Sequence, residues 1–447
     1  MGVDFMLNID HFLMIIAPNN MSANELLKHL KQIRDTKFQV CLVICSINFP
    51  ENEKKQLINF AKDINNWFVV PDTRELNALL LKEPVEKIFA HIITRQVKVT
   101  RVSPYQTEKG IKKDSVFFGR EQLLAHIIQR EPANYFLIGG RQLGKTSLLK
   151  ALNRRYSNDS ETICYYLSLS GTDILTPIAI AMDIDKNSSI KEIANVIRQH
   201  KENSRLIFLV DEADTFIQAQ AEKKYPILRE FRSLSEEGRC YFIMAGFWYL
   251  YHSAALDYQS PLKNFAETLF IGALEPHACK ALATIPMHLM NINYDPHNLV
   301  EKIIYETGRR ANLIAIICNS LLQIIDMNKR KITSKEINKV LDGNEIRKSL
   351  AGWGNLCEDE KDNHFDRIVV YATIDKISFN TEDIVTILKK YQFPFNAQKL
   401  QQSLLRLELS FILKRDHGNY SYCVPLFKRI ILESNPKLML ESELELY

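Results

Sequence analysis

The chain has 447 residues, 46% hydrophobic and 25% charged, with a formal net charge of +4. That composition excludes a disordered or low-complexity protein and supplies apolar side chains for two to four separate cores. So small a net charge permits a nucleic-acid partner without arguing for one, and the eight cysteines, with no C-x-x-C pair, read as buried reduced thiols rather than a disulfide frame.

No apolar run approaches the roughly 18 residues that span a bilayer. The first residues lack a basic stretch ahead of a long apolar one. The expectation is a cytoplasmic protein with no membrane contact.

Residues 1–100 alternate two kinds of pattern. FLMIIA (12–17), FQVCLVICSI (38–47) and NWFVV (66–70) are short apolar runs, which predicts strands. SANELLKHLKQI (22–33), RELNALL (74–80) and EPVEKIFAHIITRQV (83–97) have helical spacing, and Ser22 with Glu25 makes a capping-box pattern. Together they predict a small α/β domain. It carries no cluster with metal-ligand spacing and no nucleophile constellation, so a sensing or arranging role is expected of it. The polar stretch RVSPYQTEKGIKKDSV (101–116) marks a boundary.

From 115 to 275, five apolar runs alternate with helical segments: NYFLIG (134–139), TICYYLSLS (162–170), RLIFLV (205–210), CYFIMA (240–245) and TLFIGAL (268–274). That predicts a parallel sheet covered on both faces. The first run leads into Gly139-x4-Gly144-Lys145-Thr146, which fits a phosphate-binding loop. Glycines let such a loop curl so that successive N–H groups face an anion, and a helix must begin at its end. The cradle is expected over Gly139, Gly140, Arg141, Gln142, Leu143, Gly144, Lys145, Thr146 and Ser147. Lys145 would reach the β- and γ-phosphates of ATP, and the Thr146 hydroxyl would hold Mg²⁺.

LIFLVDEAD (206–214) then places Asp211 and Glu212 at the tip of an apolar strand. Asp211 is expected to hold Mg²⁺ through water, and Glu212 to orient and deprotonate the attacking water. Asp214 reads as a helix cap. The catalytic pair expected from sequence is therefore Glu212 and Lys145, with Thr146 and Asp211 at the metal.

Residues 276–345 read as all helical. The block 363–432 reads as three helices followed by a hairpin with a DHGN turn, the order of a winged helix-turn-helix. Lys399, Gln401, Gln402 and Arg406 would form the polar face of its third helix, and Lys414, Arg415 and His417 would lie in the wing. Contact with DNA and packing against the nucleotide domain or another protein both stay open.

FFGRE (117–121), GGRQLGKTSLL (139–149), FLVDEAD (208–214) and ETGRRANLIAIICNSLL (306–322) together resemble the P-loop ATPases of the AAA+/STAND group, near the archaeal-type ATPases. The resemblance covers about 115 to 430. It implies a P-loop sheet, a helical lid and a C-terminal winged helix, with Phe118, Gly119 and Arg120 near adenine. It also implies a polar sensor at the end of CYFIMAGF, where this chain has Ala245, Gly246 and Phe247. In the lid, Gly308-Arg309-Arg310-Ala311-Asn312 lacks the proline of a G-x-P turn, and Arg309 or Arg310 is the substitute charge sensor. Arg229, Arg232 and Arg239 are candidates for an arginine acting in trans. The function implied is an ATP-binding and ATP-hydrolysing, Mg²⁺-dependent switch that passes nucleotide state to its flanking domains, with a protein partner or self-association. The alternatives are an ATP-controlled DNA-binding regulator or loader and a nucleotide-binding scaffold that does not hydrolyse.

Overall fold

A computed structural model of the chain describes residues 5–18, 21–33, 38–45, 50–63, 67–81, 85–200, 205–325 and 330–446. Near the N-terminus, β1 (Phe12–Ile16), β2 (Val40–Ile44) and β3 (Phe68–Val69) pair in parallel in that order. All three lie within the expected runs; residues 46, 47, 66, 83 and 84 of the expected elements lie outside the described residues. The Ser22–Glu25 capping box is formed at the helix Ala23–Gln32. A helix over Glu51–Asp63 was not foreseen. Its opening ENEKK is all polar, and its buried anchor is Leu57, with Ile58 and Phe60 packed beside it, too short an apolar stripe to register as a period.

This unit leans on the helices that follow the central sheet. Ile92, Ile93, Val97 and Val102 share one core with Ala278, Met287 and Leu321. Arg330 Nη2 donates to the Thr94 carbonyl at 2.7 Å, and the Ser103 hydroxyl to Asn319 Oδ1 at 2.8 Å.

The central sheet is all parallel. Its strands are β4 (Tyr135–Ile138), β5 (Thr162–Ser168), β6 (Arg205–Asp211), β7 (Cys240–Gly246) and β8 (Glu267–Phe270), in the spatial order β5-β6-β7-β4-β8. Alternate residues enter opposite cores: Phe136, Phe208 and Phe242 on one face, Leu137, Leu209 and Ile243 on the other. Two buried faces explain why the strands read as unbroken apolar runs rather than as alternation. With β4 between β7 and β8, the segments after β4, β6 and β7 gather beyond the carboxyl ends of the strands, where open α/β sheets bind ligands.

The region after the central sheet is helical with one small antiparallel hairpin, and the block 276–345, expected to be all helical, also holds a short parallel pair, Asn293–Tyr294 with Lys331–Ile332. Helices Glu360–Thr373, Thr381–Lys390 and Ala397–Leu409 precede the pair Leu413–Asp416 and Asn419–Tyr422. Helices Pro425–Glu433 and Pro436–Leu446 follow, the second beyond the block read from the sequence.

Arg406 departs from expectation. It is 1% exposed, with Nε and Nη2 donating to the two oxygens of fully buried Asp366 at 2.8 Å each and Nη1 donating to Asp362 Oδ2 at 3.0 Å. A planar guanidinium is buried when a bidentate carboxylate meets it. Lys399 and Gln401 are exposed, and Gln402 is half-buried.

Candidate functional site

A cavity of about 830 Å³ opens where the carboxyl ends of the sheet strands meet the later helices. Its floor is the loop after β4. Gln142 (φ 63°) and Gly144 (φ 97°) are both left-handed, which turns the chain sharply into the helix Lys145–Tyr156. The helix ladder begins with Leu148 N donating to the Gly144 carbonyl. The backbone N–H groups of residues 141–147 have no acceptor among the described residues. A run of unpartnered amides at a helix N-terminus is a fit for phosphate oxygens.

Lys145 folds back over this loop, donating to the carbonyls of Gly139 at 2.6 Å and Gly140 at 2.9 Å. Burial pushes its pKa down, opposed by Asp214, Glu212 and Asp211 nearby. Leu143 is buried beneath the loop in the core, while Gly140, Arg141, Gln142, Gly144, Thr146 and Ser147 line the cavity. Gly139 lies just behind, its N–H donating to the Gly246 carbonyl at 3.3 Å.

The two acids at the end of β6 differ in setting. Asp211 is 2% exposed; its Oδ2 accepts from the Tyr166 hydroxyl at 2.8 Å and its Oδ1 from Glu212 N at 3.1 Å. Glu212 is exposed, takes a left-handed backbone (φ 57°) and lines the cavity. Thr146 lines the cavity, while Asp211 is buried behind its lining; both are oxygen donors of the kind Mg²⁺ takes. No group of three or more His, Cys, Asp or Glu side chains that could hold a metal occurs among the described residues.

Phe118 lines the cavity, but Gly119 and Arg120 do not. The Arg120 guanidinium donates to the carbonyls of Gly272 (2.5 Å) and Ala273 (3.1 Å), and its backbone N–H to Glu275 Oε2 (3.1 Å). A buried cation takes the nearest carbonyls, and here they tie Arg120 to the segment after β8.

Of Arg309 and Arg310, the second reaches the loop. Its Nη2 donates to the Arg141 carbonyl at 3.2 Å, its Nε has no partner among the described residues, and burial pushes its pKa down to about 10. Asn312 Nδ2 donates to Gln142 Oε1 at 2.9 Å. Arg309 is exposed. Arg229 donates to the Lys224 carbonyl, and Arg232 to Glu236 and the carbonyls of Pro261 and Lys263, so both have local partners; Arg239 lies just before β7.

Three features escaped the sequence. The boundary stretch is a strap: residues 104–111 line the cavity, Ile111 N donates to Ser147 Oγ at 3.2 Å, and Lys150 and Arg154 donate to the carbonyls of Gly110 and Ile111. The C-terminal region touches the loop itself, with Gly140 N donating to the Leu409 carbonyl at 2.9 Å. Finally, Asp214 caps a helix, but not its own. Its oxygens accept from the backbone N–H groups of Phe247, Tyr249 and Leu250, at the short helix Trp248–Tyr251 after β7.

Residues 128–252 match the AAA domain family. No curated protein matches the chain. Among solved structures, the Walker-type ATPase of Pyrococcus abyssi superposes with a TM-score of 0.52 at 15% identity, covering 73% of this chain and 99% of that one. Cdc6p from Pyrobaculum aerophilum gives 0.35 at 16%, covering 72% and 92%. The RuvB Holliday junction branch migration motor of Thermotoga maritima gives 0.38 at 14%, covering 72% and 97%. Only the first is close enough to bear on the fold. The loop, the paired acids, the strand order and that family match make the central sheet an AAA domain, the fold of P-loop ATPases.

Proposed function

We propose that this chain is a Mg²⁺-dependent, ATP-hydrolysing switch of the STAND kind. In this reading residues 115–275 form the ATPase domain, 276–345 its lid, 363–432 a winged helix and 1–100 a small α/β domain. The amides of residues 141–147 take the phosphates, and Lys145 exchanges its two carbonyls for β- and γ-oxygens. Thr146 and Asp211 hold Mg²⁺, which when bound neutralises charge between the phosphates. Glu212 takes the proton of the attacking water. Arg310, with one guanidinium nitrogen unpartnered, is the charge sensor of the lid.

The observation that carries the switch is the bond from Gly140 N to the Leu409 carbonyl. It joins the winged helix to the loop whose neighbouring amides bind phosphate, so a phosphate-driven shift of the loop bears directly on docking. The helix Ala397–Leu409 spends Arg406 inside its own block and its carboxyl end on this loop, which supports inward contact over DNA reading for that face. The exposed Lys414 and Arg415 of the wing keep duplex DNA as the second reading.

The test is Gly140→Ala. A Cβ there would stand 2.7 Å from Ser410 Cα, a backbone atom that cannot swing aside. The variant is expected to release ADP several-fold faster than wild type and to raise steady-state phosphate release. ADP release and turnover equal to wild type would sink docking as the gate.

A further inference from the structure

Where a polar sensor side chain is expected at the end of β7, the chain has Gly246, and the packing gives a reason. A Cβ at Gly246 would stand 2.8 Å from Asp214 Oδ2 and 2.9 Å from Leu250 Cβ. The space of a sensor side chain is taken by the carboxylate of Asp214. That carboxylate collects three backbone donors: Tyr249 N at 2.8 Å and Leu250 N at 3.2 Å on one oxygen, Phe247 N on the other. Phe247, Trp248 and Tyr249 line the same cavity as Glu212. One short stretch, 211–214, therefore carries the expected metal acid, the expected water acid and the anchor of the turn beside them. Ala213 N donates to the Ala245 carbonyl at 3.0 Å, which closes that stretch onto β7.

The turn also faces the C-terminal region. The Arg406 guanidinium lies 4.9 Å from the centre of the Trp248 ring, within cation–π range, and Arg406 is locked by Asp366 and Asp362.

We propose that Asp214 is a positioning residue for hydrolysis: it replaces the absent sensor side chain by holding the 247–250 turn against the hydrolytic end of the cavity, and through Trp248 and Arg406 ties that turn to the docked C-terminal region. The inference rests on the hydrolytic reading above.

Asp214→Asn is the discriminating variant. It keeps the shape, but an amide nitrogen cannot accept, so at least one of the three backbone bonds is lost. The expected result is a fall in kcat of about 10- to 100-fold, the scale of a misplaced reacting group, with KM for ATP and affinity for ATPγS within about two-fold of wild type. Trp353 lines the same cavity, so in a Trp353→Phe background ATPγS should change tryptophan emission, and adding either Trp248→Phe or Asp214→Asn should remove that change. Gly246→Ala, which displaces the carboxylate from the other side, should reproduce the loss of kcat.

An unchanged kcat in folded Asp214→Asn overturns the inference. So does a rise in ATPγS dissociation constant that matches the fall in kcat, since Asp214 would then support the cradle instead. A wild type without turnover overturns the hydrolytic reading and this inference with it; a wild type that turns over beside an unaffected Asp214→Asn overturns this inference alone.

Discussion

Lys145→Ala is expected to lose nucleotide affinity by about 10²-fold or more and to keep its fold. In the structure the ammonium is desolvated and donates to two loop carbonyls, those of Gly139 and Gly140. A phosphate offers it charge-assisted bonds, each worth about 1.5–3 kcal/mol, and two of them account for a change of that size. Without nucleotide, removing the ammonium takes away a cation already held at a desolvation cost, so the melting temperature should shift little. Titration with a fluorescent ATP analogue beside a thermal melt checks both halves. A folded Lys145→Ala that binds ATP as wild type does would contradict the cradle.

Glu212→Gln is expected to bind ATP normally and to lose turnover by about 10²- to 10⁴-fold, the range set by general-base catalysis. The two acids at the end of β6 are already sorted by environment. Asp211 is buried and fixed by Tyr166 and by the next amide. Glu212 is exposed to the cavity, where a water can reach it. The amide of glutamine keeps the shape and removes the basic oxygen. Phosphate release with equilibrium binding measured on the same sample separates the effects; unimpaired release in Glu212→Gln would remove it from the chemistry.

The central sheet was readable because burial on both faces leaves continuous runs of β-branched and aromatic residues, and the loop was readable because its spacing is itself the mechanism. What the sequence hid depends on partners far along the chain. Arg406 sits on a helix whose spacing suggested an outward face, but Asp366, 40 residues away, draws it inward. Asp214 and Phe247 are 33 residues apart, and no local period tells that a carboxylate fills the space beside Gly246. The strap over the loop looked like a linker because its bonds are made largely by backbone groups of Gly110 and Ile111, which composition does not reveal. Arg120 matched a motif, yet the carbonyls of Gly272 and Ala273 hold its guanidinium away from the cavity lining.

Hydrogen exchange in Glu212→Gln, compared with no nucleotide, ADP and ATP, tests the switch most directly. The amide of Gly140 and the segment 405–412 report the contact at Leu409. ATP is expected to speed exchange across 405–412 and at Gly140 relative to ADP, as the C-terminal region leaves the loop. Equal protection of that segment in all three states, with ATP shown to be bound, would contradict it.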